Sequence, residues 1–334
     1  MRGQTKTLMT KSILTLIILL FLAFGMRTAA AEPADQLLAA GRIDDAIRVL
    51  QTSISSSPNG ASSYNLLCRA FFTMGNWDQA IAACEKGVSL DPQNSLYHLS
   101  LGRAYGEKAE HTNFMSAIGF ARKLRNEFET AVRLDPNNVA ARTDLAEFYL
   151  EAPGFLGGGT DKAVAQSQQL MPLDPVKGHW VLGRIAEKRK DSVTAESEYR
   201  KAIQAGDGRG DAWLNIALFY RHNGRFDAME EALDHIRSTD PGHPNAMMEA
   251  AQLLIRTGRN TPAAIDLLQR YLASSTVEEA PAFQAHYLLG TLLEKRGDRQ
   301  AAAREYQTSL SLARSFTPAQ NALARLKSPL AHNG

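Results

Sequence analysis

Two runs of the chain end in the same punctuation, "KGVSLDPQN" at Lys86 to Asn94 and "TAVRLDPNN" at Thr130 to Asn138, and "HIRSTDPGH" at His235 to His243 is a looser third copy. Upstream of each proline lies an apolar run at helical spacing. Before that, a glycine breaks the chain in several copies, at Gly41, Gly75, Gly224, Gly258 and Gly297. A unit of about 34 residues, two helices and a tight turn, accounts for this spacing. One such unit cannot bury its own apolar faces, so several must stack. The Leu-Asp-Pro endings suit the boundaries, because proline fits the first turn of a helix and not its interior.

The pattern resembles the tetratricopeptide repeat, W-x2-L-G-x2-Y followed by Ala, Phe and Pro on the second helix. The second unit, Ala61 to Asn94, fills it with Tyr64, Leu67, Cys68, Phe71, Ala80, Cys84 and Pro92. Partial matches follow: Leu101, Gly102 and Tyr105; Leu145, Ala146 and Tyr149; Leu182, Gly183 and Tyr199; Trp213, Ala217 and Tyr220; Leu254 and Gly258; Leu289, Gly290 and Tyr306. The resemblance implies an all-α, right-handed superhelical solenoid of about eight units. Residues 32–60 read as a partial first repeat, 61–316 as the solenoid, and 317–334 as a capping helix and tail, with Ala319, Ala322, Leu323 and Leu326 closing the last apolar face.

The segment 1–31 places Arg2, Lys6 and Lys11 before an apolar run from Ile13 to Phe24, then Ala29, Ala30 and Ala31. That order is expected of a cleavable signal peptide cut after Ala31, and hence of a periplasmic or secreted protein. The apolar run is about a dozen residues, against roughly twenty for a membrane span, so no stable span is expected after cleavage. The segment holds four basic residues and no acid, so the formal charge of +2 becomes −2 without it. The basic pI of the whole chain is then no argument for nucleic acid. Cys68 and Cys84 lie on apolar helix faces, where a cysteine serves as a small hydrophobe, and an oxidising compartment also permits a bridge; the sequence leaves the choice open.

No H-E-x-x-H, G-x-S-x-G, phosphate-loop or paired C-x-x-C motif is present. His98, His179 and His286 occupy the slot that the family fills with Trp, in separate repeats, and read as structural rather than metal-ligating. Glu127, Glu129, Glu230 and Glu231 read as parts of solvated faces. No catalytic residue, metal site or cofactor is expected.

The resemblance implies a concave groove lined by the first helix of each unit, with the residue after the small slot pointing into it. Arg69, Arg103 and Arg184 hold that slot. Asn65 and Trp180 lie one turn earlier, and Phe72 and Arg221 one turn later. These residues suit an extended, acidic peptide bound through arginine–carboxylate pairs and an aromatic contact. They equally suit solvated arginines paired within the protein, some of them with Glu147 or Glu187. The lysine–asparagine pattern of the family's chaperone-tail clamp is absent. The expected function is an exported, non-catalytic scaffold for protein partners in envelope assembly or secretion; a groove around Trp180 and Arg184 for a small ligand or glycan is the alternative.

Two adjacent units are too long, with insertions at 106–121 and 152–159. In the first, Thr112 or Asn113 should cap a lengthened helix whose residues Phe114, Met115 and Ile118 lie along one stripe. The second, "EAPGFLGGGTDKA", carries Phe155 and Leu156, which are expected to pack on that stripe. Gly157 to Gly159 precede a helix start at Thr160, as an anion site would, but no strand precedes them and Lys162 does not follow a glycine.

Overall fold

The computed structural model describes residues 33–238 and 244–327, and the expected signal peptide and the proline at 241 lie outside them. Among the described residues seventeen α-helices follow one another. They are α1 (Ala34–Ala39), α2 (Ile43–Ser56), α3 (Ala61–Thr73), α4 (Trp77–Leu90), α5 (Ser95–Glu110), α6 (Phe114–Leu134), α7 (Val139–Glu151), α8 (Thr160–Leu170) and α9 (Pro175–Lys188). The remainder are α10 (Ser192–Ala205), α11 (Gly210–His222), α12 (Phe226–Ser238), α13 (Pro244–Thr257), α14 (Thr261–Ala273), α15 (Ala282–Lys295), α16 (Arg299–Leu312) and α17 (Thr317–Lys327). A 3-10 turn, Gly154–Leu156, sits between α7 and α8. Among the described residues the only extended pairing is an isolated bridge between Val277 and Ala280. This is the all-α superhelical solenoid that the repeat pattern implies.

The punctuation works as local chemistry. The last residue of each Asp-Pro-x-Asn run caps the next helix: Asn94 accepts from the Leu96 amide at 3.1 Å and Asn138 from that of Ala141 at 3.0 Å. Gly41, Gly75, Gly224, Gly258 and Gly297 all adopt positive φ, which lets the chain turn from the first helix of a unit into the second. The fifth unit has Lys190 in that position, at φ 61°.

Odd-numbered helices from α1 to α11 each touch the next odd-numbered helix, so the first helices of these units form a continuous inner layer. Within units, a small residue on the first helix receives an aromatic ring from the second. A Cβ on Gly102 would lie 2.4 Å from the Phe128 ring, and one on Gly183 or Gly290 would lie 2.6 Å from Tyr199 or Tyr306. Hydroxyls then tie units together: Tyr105 donates to Glu85 at 2.6 Å, Tyr149 to Glu129 at 3.0 Å and Tyr220 to Glu196 at 2.9 Å.

Within the body that starts at Ala34, the first repeat meets the last. Leu37, Leu38, Ile43 and Ala46 of α1 and α2 share one core with Ala70, Phe283 and Ala313. Polar contacts run along the same seam. The Thr276 hydroxyl donates to the Ala39 carbonyl at 2.9 Å, and the Ser315 hydroxyl to Asp44 at 3.0 Å. The Arg314 amide also donates to Asp44, and Arg69 pairs with Glu278. The first face of the array is thus covered by the last repeat. α17 packs on α15 and α16 with Ala319 and Ala322 buried.

The first insertion differs from its expected form. Gly106 to Glu110 extend α5 rather than a turn, and only His111 to Asn113 separate it from α6. Asn113 caps α6, accepting from the Ser116 amide at 3.1 Å.

Candidate functional site

A cavity of about 510 Å³ opens on the inner layer where the second and third units face the segment between α14 and α15. It lies within the ~300–1,000 Å³ range of ligand sites. Its position follows from the seam, because residues about 210 positions apart in sequence supply its opposite walls. Asn65, Arg69 and Phe72 come from α3, Leu99 and Arg103 from α5, Glu278 and Glu279 from the closing segment, and Gln284 from the first turn of α15.

The closing segment is held from beneath. The Tyr271 hydroxyl donates to the Ala280 carbonyl and accepts from the Val277 amide, folding residues 277–280 into a tight hook. Glu278 is thereby brought to Arg69, which donates through Nε to Oε1 at 2.8 Å and through Nη2 to Oε2 at 2.5 Å. Burial pushes the Glu278 carboxyl above its ordinary value, against the pull of Arg69. The Gln284 amide reaches the Thr73 carbonyl at 3.4 Å.

Trp77 completes the apolar wall, with its ring 5.4 Å from that of Phe72, edge to face. The floor is braced by a disulfide between Cys68 and Cys84, with Cα atoms 5.2 Å apart, which joins α3 to α4. Asn65 is 6 % exposed, and its Oδ1 has no hydrogen-bond partner.

Of the residues expected in a groove, Asn65, Arg69 and Arg103 come together here, and Phe72 with them. Trp180, Arg184 and Arg221 do not. Trp180 packs between two core clusters with the Arg184 guanidinium 5.7 Å from its ring centre. Arg221 contacts its neighbour His222 at 2.8 Å.

Three of the arginines pair with acids of the chain itself. Arg69 is committed to Glu278, Arg103 donates to Asp144 at 2.6 Å, and Arg184 is held by Glu151 at 2.7 Å and Glu147 at 3.3 Å. Arg103 and Arg184 each face an acid on the neighbouring inner helix, and their pairing follows from that proximity. Of the four glutamates read as parts of solvated faces, Glu231 is exposed, while Glu127 meets His98 at 2.6 Å, Glu129 meets Tyr149 and Glu230 meets Arg259. His179 and His286 repeat the first arrangement with Glu198 and Glu305, at 2.8 and 2.7 Å. Among the described residues no group of three His, Cys, Asp or Glu side chains could hold a metal ion.

The loop of Phe155 and Leu156, expected to dock on Phe114, Met115 or Ile118, lies against α6 at another point. The loop meets α6 at Arg125, which donates to the Leu156 carbonyl at 2.9 Å, and Leu156 is 7 % exposed. Phe155, Phe114 and Met115 stay in solvent at 66, 74 and 76 %. At 1.5 Å per residue, Arg125 stands roughly 15 Å along the helix from Met115, beyond the loop's reach. The glycine amides do not form an anion cradle: Gly157 donates to Gly154, Gly158 to Pro153 and Gly159 to Tyr149.

Trp77, Leu96, Ser100 and the whole closing segment escaped the sequence reading. Trp77 was hidden at a helix start, and nothing local announces that Glu278 returns to Arg69.

Comparison with known proteins agrees with the geometry. Family models described as tetratricopeptide repeat match residues 37–104, 210–253 and 248–315, together about half of the chain. Mouse superkiller complex protein 3 is 21% identical over 288 residues, 85% of this chain and 18% of that one. Cellulose synthase operon protein C of Pseudomonas fluorescens is 26% identical over 225 residues, 65% of this chain and 16% of its own. The chain thus spans less than a fifth of the length of either curated relative. The crystal structure of yeast Tom70 superposes with a TM-score of 0.51 at 16% identity, covering 85% of this chain and 58% of that one, a likeness of fold. Matched at both ends of its array and built of the same paired helices, the chain belongs to the tetratricopeptide repeat family.

Proposed function

We propose that the protein is an exported, non-catalytic scaffold that takes a segment of a protein partner into the cavity between Asn65 and Glu278, in the assembly or secretion machinery of a bacterial envelope. Proteins of this repeat class serve as platforms for protein–protein contact. The observation that carries the reading is the buried, unpartnered Asn65 carbonyl in a cavity with one apolar and one polar wall. A buried acceptor without a donor lowers stability, and a ligand donor would satisfy it.

Export is supported by the basic, apolar and small-residue order of residues 1–31. Among the described residues no helix is long and apolar enough to cross a membrane.

The test is affinity purification from an envelope fraction with the wild type and with Ser100→Trp, which places an indole in the cavity. Partners retained by the wild type and lost by the variant support the reading. An identical set from both proteins would refute it.

A further inference from the structure

We propose that the cavity receives an ammonium group carried beside an apolar one, as on a lysine-containing peptide or a free arylalkyl amine. The proposal rests on the cavity being the binding site. It adds the chemistry of what enters.

Three features select a cation over the carboxylate that the arginines first suggest. The first is the Asn65 carbonyl oxygen, a buried acceptor that needs a donor. An ammonium brings three donors and a carboxylate none.

The second is the charge left over after pairing. Arg69 gives two donors to Glu278, and Arg103 is bound to Asp144. Both cations at the cavity wall are therefore neutralised. Glu279, beside them, has no ion pair among the described residues, so the uncompensated charge at the wall is negative. A carboxylate ligand would add a further negative charge beside Glu278 and Glu279, whereas an ammonium would compensate Glu279.

The third is the apolar wall. Phe72 and Trp77 stand edge to face, and Leu99 lies on the neighbouring helix. Aromatic faces attract a desolvated cation and also accept the apolar group that accompanies it.

The experiment is calorimetric titration of the full chain with four probes: phenethylammonium, its isostere 3-phenylpropanoate, acetyl-Leu-Lys-Phe-amide and acetyl-Leu-Glu-Phe-amide. Each ammonium probe should bind at least roughly tenfold tighter than its carboxylate partner, since hydrogen bonds to charged groups discriminate by about that factor. Asn65→Leu should lose about tenfold in affinity for the ammonium probes, yet melt at the wild-type temperature or above, because it removes an unsatisfied acceptor. Glu279→Gln, at an exposed position, should weaken the ammonium probes alone and keeps the test open if Asn65→Leu does not fold. Tighter binding of the lysine peptide than of phenethylammonium identifies a peptide as the source, and the reverse identifies a small amine. Equal or tighter binding of the carboxylates overturns the ammonium assignment and leaves the site itself standing. If no probe binds, the assignment falls as well. The scaffold reading then depends on the Ser100→Trp comparison alone.

Discussion

Arg69 and Glu278, 209 residues apart, face each other through two parallel hydrogen bonds and so join the second repeat to the segment that precedes the last one. The Glu278 side chain is 14 % exposed and that of Arg69 is 40 % exposed. Arg69→Ala should cost about 1–3 kcal/mol by urea denaturation, less than a fully buried pair would, because the guanidinium is partly solvated. Arg69→Ala with Glu278→Ala together should recover part of that loss, as coupled partners do. Arg69→Lys should behave like the alanine variant, since an ammonium cannot form the bidentate fork.

The disulfide between Cys68 and Cys84 spans a separation of 16 residues and holds together the two helices that carry Asn65 and Trp77. Replacing both cysteines with serine should cost roughly 2–4 kcal/mol, as expected for a loop of that size. Reductant should lower the melting temperature of the wild type and leave the serine variant unchanged.

Glu196 gives the acid limb of stability a particular residue. Burial pushes its carboxyl up, but hydrogen bonds from Arg200, Arg225 and Tyr220 outweigh it and hold the group at about 2, below its ordinary 4.5. A carboxyl depressed in the folded state stabilises fully above the ordinary value and loses that contribution as the pH falls towards the folded one. Between pH 4.5 and about 2 the wild type should therefore lose stability more steeply than Glu196→Gln, as read from urea midpoints along the pH series.

Lys190 holds the left-handed turn that glycine holds in other units, at φ 61°. Lys190→Gly should stabilise the protein by about 0.5–1 kcal/mol, relief of the side-chain strain exceeding the added freedom of the unfolded chain. The opposite change, Gly183→Ala, should cost about 1–3 kcal/mol, because the new methyl would press on the Tyr199 ring. Thermal melts of the two variants should move in opposite directions.

Much of this fold was legible because the repeat writes its own grammar. The glycine turns, the Asn94 and Asn138 caps and the pairing of Gly183 with Tyr199 are local consequences of residue type and spacing. The seam was not legible, since Phe283 and Ala313 look like ordinary core positions whether they face a neighbouring repeat or the far end of the array. The arginines show the same limit in the site. Their place on the inner layer follows from the repeat register, but only the three-dimensional arrangement brings Glu278, Asp144 and Glu151 to them. Asn65 was named for its position, whereas the missing partner of its side-chain oxygen is visible only in three dimensions. The exposed trio Phe114, Met115 and Phe155 failed to meet because helix length along α6, not hydrophobicity, sets where the loop lands.

An open solenoid can gain or lose a unit with little effect on the rest, because each repeat answers only to its neighbours. The seam between Leu38 and Phe283 removes that freedom. Duplicating or deleting one 34-residue unit would carry Glu278 away from Arg69 by the rise and rotation of a whole repeat, so the copy number of this array is fixed by the need for its two faces to meet.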